Sequence, residues 1–366
     1  MNTPLSRLQS WLDLIPYDAV VLKRPQNVGW ITRGSNTPID RSSPIDPVWL
    51  VITAHTAIVV TTTIEAARVR EELHIPGSSD YTIVQVPWYG SDYHLVILGV
   101  LSELFANVGR EIIVAADDHV EGHDVSDDLI ALRMILDDSE QASLIALGAH
   151  ATTALEEALA QWEPGDTDFM VQAEVLRNLE TTGIQAPIII VGGDERLERF
   201  RHPLAVGAPM NHRVVAVIVA RLHGLHVAVT RYAASTPDSA RLAADMETVR
   251  TIESATLQSL KPGQTYGQTL KTLANAYSAA GHANAWTEHY QGGPIGFDQR
   301  EFEIAPTDVG SRWFSHTVEV GHAVAFNPSL TGGAKVEDTY LITASGPLLI
   351  TKSRSIGVTA TASNQK

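Results

Sequence analysis

The first third of the chain alternates short apolar runs with amphipathic stretches. Residues 5–14 place apolar side chains at helical spacing, 19–22 and 49–52 are continuous apolar runs, and 56–60 resumes the pattern after a turn. Short apolar runs bounded by turn residues read as buried strands. Residues 64–72 read as a helix with Arg68 and Arg70 on its polar side, 82–86 as a strand, 93–105 as a helix and 111–115 as a strand. Trp30-Ile31-Thr32-Arg33 closes a further strand-like run, beside a Ser-, Pro- and Asp-rich loop over 34–47. Strands alternating with helices predict a mainly parallel sheet with helices packed on it. This gives an α/β domain over 1–135. Residues 125–135 read as a crossover helix into a second domain, 136–366.

The second domain repeats its own punctuation. Glu163-Pro164-Gly165-Asp166-Thr167 and Lys261-Pro262-Gly263-Gln264-Thr265 each follow a long helical pattern and precede another helix, which ends at Gly183 and Gly281 respectively. The physical logic is the same twice. Pro-Gly stops one helix, a Thr hydroxyl caps the next, and a Gly supplies the left-handed residue after its end. Strand-like segments follow, at 187–191 and 286–295. Two helix–turn–helix–strand halves predict an α+β domain with a pseudo-twofold internal duplication and a cleft between its sheets.

Composition narrows the function classes. The 366 residues contain 26 Lys+Arg against 42 Asp+Glu, a net charge of −16. An acidic surface repels phosphate backbones and anionic lipid heads, so neither nucleic acid nor membrane is an expected partner. With no cysteine, disulfides, thiolate metal sites and a Cys nucleophile are all excluded. The opening lacks a basic segment followed by an apolar one, and a cytoplasmic location is expected.

Candidate chemistry concentrates in 289–343. His289-Tyr290-Gln291-Gly292-Gly293-Pro294-Ile295-Gly296 is followed by Arg300-Glu301, Phe326-Asn327-Pro328 and Lys335-Val336-Glu337-Asp338-Thr339. Further upstream stand Arg201-His202-Pro203 and Gly224-Leu225-His226-Val227-Ala228-Val229-Thr230-Arg231. In this order the motifs resemble those of the pita-bread family, which includes methionine aminopeptidase, prolidase, aminopeptidase P and creatinase. Residues 201–203 stand where the family has its first cleft histidine. Residues 224–231 look like its Gly-Tyr-x-x-Asp-x-Thr-Arg strand pair, 292–296 like its Gly-His-Gly-Ile-Gly turn, and 333–343 like its final Glu-Asp-Thr hairpin.

The resemblance implies a creatinase-like member lacking most metal ligands. The family's peptidases hold two divalent ions with two Asp, one His and two Glu. Those positions fall here on Val217, Ala228, Gly293, Asn327 and Glu337, of which only Glu337 is an anionic donor. One carboxylate and one amide cannot offset about four positive charges. No cofactor is therefore expected, and the implied function is metal-independent hydrolysis or elimination at a C–N or amide bond of a small amino-acid-like substrate. His202 is the expected base, with Glu301 and Glu337 as acid–base or water-orienting partners. His226, His289, Arg300 and Asn327 are expected to bind substrate, Arg300 by clamping a carboxylate and Asn327 by donating to an oxyanion. The family's dimers imply a homodimer in which Trp30 and Arg33 reach the partner's cleft. Trp313 and Phe314 beside His316 read as an apolar wall or as core. Two further readings stay open: a non-catalytic protein that binds peptides or proteins, and a metal-dependent Xaa-Pro peptidase.

Overall fold

The computed structural model describes residues 3–35, 37–78, 81–89, 92–119, 122–305 and 309–353. The chain divides into two compact units, Met1–Asp137 and Asp138–Lys366. Among the described residues, no helix is long and apolar enough to cross a membrane.

The first unit is built on a six-stranded sheet. Ala19–Leu22 pairs with Val48–Thr53 on one side and Val114–Ala116 on the other; Ala57–Thr62 and Thr82–Val86 extend one edge and His123–Asp124 ends the other. The Ala19–Leu22/Val48–Thr53 and Val48–Thr53/Ala57–Thr62 ladders are antiparallel and the other three parallel. The sheet is thus more mixed than the alternating pattern predicts, because the short turn at 54–56 closes a hairpin instead of a crossover. Four of the strands are almost wholly buried, which accounts for their unbroken apolar runs.

One assignment is corrected here. Trp30 ends a helix, Pro25–Ile31, and not a strand. Proline sits in the helix's first turn, where its missing N–H costs nothing. Arg33 follows in the left-handed region, φ 49°, with Gly34 at φ 81° donating back to Gly29 O at 2.8 Å. The Trp30 ring is fully buried, so it cannot reach out to a substrate. Arg33 donates to the Asp137 carboxylate. Burial thus removes Trp30 from the binding role, while the Arg33 guanidinium is engaged by Asp137.

The second unit carries the duplication, and its chemistry matches residue for residue. Asp138–Ala160 and Asp168–Glu180 form one helix pair, Ala240–Ser259 and Tyr266–Ala279 the other. Thr167 caps its helix by accepting from Met170 N at 3.3 Å, and Thr265 accepts from Gln268 N at 3.2 Å. Gly165 and Gly263 have φ of 102° and 92°, and Gly183 and Gly281 have 77° and 85°. Each half continues into an antiparallel sheet. The first is Gln185–Gly193, Arg213–Leu222, Leu225–Ala234; the second is Gly292–Ile295, Ala323–Phe326, Asp338–Thr343, Gly346–Leu349. The hairpin between Leu222 and Leu225 turns through His223 and Gly224, both at positive φ as a two-residue turn of this hand requires.

The two sheets meet along one seam. Ala228 N donates to Thr339 Oγ1 and Thr339 Oγ1 to Ala228 O, both at 2.8 Å, and Thr230 N donates to Glu337 O at 3.0 Å. Arg231 ties the seam to the first helix. It donates to Glu156 Oε1 at 3.1 Å and Asp338 Oδ1 at 2.9 Å.

Candidate active site

Glu337 lies just before the Asp338–Thr343 strand, at the seam, and is buried. Thr230, two residues along from Ala228 and so on the same face, donates from its hydroxyl to Glu337 Oε2 at 2.9 Å. Val217 pairs with Thr230 in register on the neighbouring strand. Side chains of the two sheets therefore converge on one carboxylate, and the residue nearest to it in charge is Lys335. Its Nζ is 3.3 Å from Glu337 Oε2, with both side chains largely withdrawn from solvent. Burial pushes the Glu337 carboxyl up, but the Lys335 and Arg300 charges and the Thr230 hydroxyl together outweigh it and hold the group below its ordinary range.

Two imidazoles face the same charge. His202 and His289 join through their Nε2 atoms at 3.0 Å. His289 Nδ1 bonds the Tyr290 carbonyl, which can only accept, so Nδ1 carries the proton and Nε2 the lone pair. His202 is then the donor in the pair. Burial, then the Lys335 charge, lowers both pKa values, that of His289 to about 4. Both rings are neutral at pH 7, the state a proton acceptor needs.

The cavity that His289 and Lys335 line with Val217, Tyr232 and Arg201 holds about 50 Å³, room for a few waters. A larger groove of about 640 Å³ runs past Arg250, Glu253, Lys261 and Tyr340. Its lining includes no histidine. The smaller cavity is lined by His289 and Lys335, the partners of His202 and Glu337 respectively.

Four expected roles change. Arg300 does not present a free fork to a substrate: its Nη1 donates to Gly293 O at 2.8 Å and Ala325 O at 2.7 Å, and its Nε lies 3.4 Å from Glu303 Oε2. The Asn327 amide nitrogen donates to Tyr290 O at 2.7 Å and Gln291 O at 3.1 Å, so it braces the 290–291 backbone instead of an oxyanion. Glu301 packs on the turn after Ile295, accepting from Asp298 N at 3.1 Å, so one of its oxygens serves that turn. His226 holds the same turn, with Nδ1 3.1 Å from Gly296 O; burial lowers its pKa to about 4.

Two residues were missed. Lys335 stands in the 335–339 segment, but nothing in its sequence setting aims it into a cavity. Glu303 accepts from Gln291 N at 3.0 Å and Gly292 N at 2.8 Å; burial raises its pKa, against the Arg300 charge and these two bonds.

Gly293 is enclosed. A Cβ there would sit 2.6 Å from Phe302 O, so a side chain cannot simply be restored at this position. The family model of metallopeptidase family M24 matches residues 143–344, more than half of the chain. The chain belongs to metallopeptidase family M24. The family is one of hydrolytic enzymes, and the fold here is its two-unit pita-bread architecture. A Xaa-Pro dipeptidase of Pyrococcus horikoshii is 22% identical, over 96% of this chain and 97% of that protein. The structure of the Xaa-Pro dipeptidase from Bacillus anthracis has a TM-score of 0.73 at 19% identity, covering 96% of this chain and 97% of that one. The N-terminal domain of the FACT complex subunit SPT16 from Eremothecium gossypii has a TM-score of 0.69 at 15% identity, over 96% and 97%.

Proposed function

We propose that this M24 member is a hydrolase whose cleft operates without the two metal ions of its peptidase relatives. The observation that carries the reading is the Lys335 ammonium 3.3 Å from Glu337. A cation supplied by the chain stands beside the one carboxylate left among the five family ligand positions. Val217, Ala228 and Gly293 offer no donor atom, and the Asn327 amide nitrogen is engaged by carbonyls. This donor set does not fit a dinuclear centre.

In this reading Lys335 and Arg300 keep Glu337 ionised. Glu337 orients a water or a cationic substrate group, and the neutral His202–His289 pair moves the proton between water and leaving nitrogen. The substrate class is a small amide or C–N compound of amino-acid type. The Xaa-Pro dipeptidases among the relatives make Xaa-Pro dipeptides the first compounds to try. The cavity of about 50 Å³ favours one competing reading, a protein that binds a partner without catalysis; the fold is also that of a FACT complex subunit domain.

The test assays chelator-treated protein against Xaa-Pro dipeptides and small amides, with and without Mn²⁺, Co²⁺ or Zn²⁺. Turnover that survives chelation and is lost in His202→Ala supports the proposal. Turnover that appears only with added metal refutes metal independence. Absence of turnover on every substrate class, with and without metal, favours the binding reading.

A further inference from the structure

A second set of ionisable groups lies away from the cleft and takes no part in the chemistry above. His316 ends the short helix Arg312–Ser315, and His322 precedes the Ala323–Phe326 strand, at the opposite end from Asn327. Five residues of extended chain, about 16 Å, separate His322 from Asn327. Between the two histidines the backbone is pinned. His316 O accepts from Tyr266 N at 3.0 Å, Val318 N donates to Gln264 O at 2.8 Å, and Ile342 N donates to His322 O at 2.8 Å.

One ligand atom each from His316, Glu319 and His322 lies within 4.8 Å of those of the other two. The imidazole rings are stacked, centroids 5.9 Å apart and planes at 10°. A second observation is independent of this clustering. The Nε2 atoms of His316 and His322 are both buried with no hydrogen-bond partner, and His322 is fully buried. A buried polar nitrogen without a partner is costly. Here two of them occur in one group beside a carboxylate.

We propose that His316, Glu319 and His322 form a mononuclear site for a borderline divalent transition ion, Zn²⁺ in the first instance. Two imidazoles and one carboxylate are a common three-ligand set for zinc, leaving a fourth position for water, and Glu319 is exposed where that water would enter. In such a site donor atoms about 2.1 Å from the ion lie about 3.4 Å from one another, so loading requires the cluster to close from its present spread of up to 4.8 Å. Tyr266 Oη is 3.0 Å from His322 Nδ1 and Glu319 N donates to the same Nδ1 at 3.3 Å, so the metal-free ring carries its proton on Nε2. Loading through Nε2 would move that proton to Nδ1, where Tyr266 Oη can accept it. Burial holds His316 below its usual pKa and His322 at about 3, so neither imidazole must shed a proton at neutral pH to bind. The ion would join the 316–319 segment to the start of a central strand of the second sheet.

The site is tested on the full chain after chelation, by equilibrium dialysis against ZnCl₂ with metal analysis, and by Co²⁺ substitution read as visible d–d absorption. One zinc per chain is expected at this site, with a four- or five-coordinate Co²⁺ spectrum and a raised thermal midpoint. His316→Asn should remove that equivalent and Glu319→Gln should weaken it roughly tenfold or more. Glu319 is exposed, so its substitution leaves folding intact and keeps the test valid should His316→Asn misfold. His289→Asn should retain the equivalent, which separates this site from the cleft histidines. Zinc stoichiometry and affinity unchanged in both His316→Asn and Glu319→Gln, or no bound equivalent in the natural chain, would overturn the proposal.

Discussion

Replacing Lys335 by Met removes the ammonium while keeping the aliphatic stem. At 3.3 Å the Lys335–Glu337 attraction amounts to about 5 kcal/mol at an effective dielectric near 20. Removing one partner of a buried pair typically costs about 3–5 kcal/mol, since the remaining charge stays desolvated. Arg300 and Thr230 still act on Glu337, so the lower end, about 3 kcal/mol, is expected. For a unit of this size that lowers the thermal midpoint at pH 7 by about 6–12 °C. The sign with pH follows from the carboxyl. In the natural protein its pKa lies below the ordinary 4.5, so its contribution is present above that value and is lost as pH falls through the lowered one. In the variant the largest opposing charge is gone and burial pushes the carboxyl upward. The gap between the two proteins should therefore be full at pH 7 and shrink towards pH 4. Calorimetry at pH 7, 6 and 5 measures this. Imidazole NMR supplies a second readout, because the Lys335 charge also depresses His202 and His289, and both should titrate higher in the variant. A midpoint shift below about 2 °C, or histidine titrations identical to the natural protein, would refute the arrangement.

Further predictions concern the surrounding scaffold. His226, His289 and His322, held at about 4, 4 and 3 by burial, should show neutral-imidazole NMR signals down to pH 5. Unfolding lets each take up a proton below its ordinary 6.5. Each therefore removes stability as pH falls from 6.5 towards 4, at up to about 1.4 kcal/mol per pH unit, with Glu253, raised to about 7 by burial, opposing in part. A midpoint near 6.5 for any of the three would contradict its enclosure. Gly293→Ala should lower stability by about 1–3 kcal/mol through the clash with Phe302 O, read as a lower denaturation midpoint. Arg231→Met should cost about 3–5 kcal/mol by stranding Glu156 and Asp338, and a loss no larger than that of an exposed arginine would show that the seam does not depend on it.

Local chemistry carried much of the architecture. The duplication could be read from two Pro-Gly-x-Thr segments because caps and left-handed glycines depend on a few neighbouring residues, and Thr167, Thr265, Gly183 and Gly281 behave accordingly. The alternation of apolar runs likewise showed an α/β unit, while strand direction in its sheet depended on the length of the connections. Trp30 was misread because a seven-residue helix has too few turns for its period to show.

Which polar groups meet was decided by the tertiary structure alone. His202 and His289 are far apart in the chain, on segments between the regular elements, and touch only in the folded second unit. Arg300 and Asn327 are as polar as the sequence says, yet backbone carbonyls take up their donors. Lys335 and Glu337 are two residues apart in any conformation. That one ammonium also acts on both imidazoles follows from the burial and direction of its side chain, which depend on packing from remote segments and leave no periodic mark in the chain.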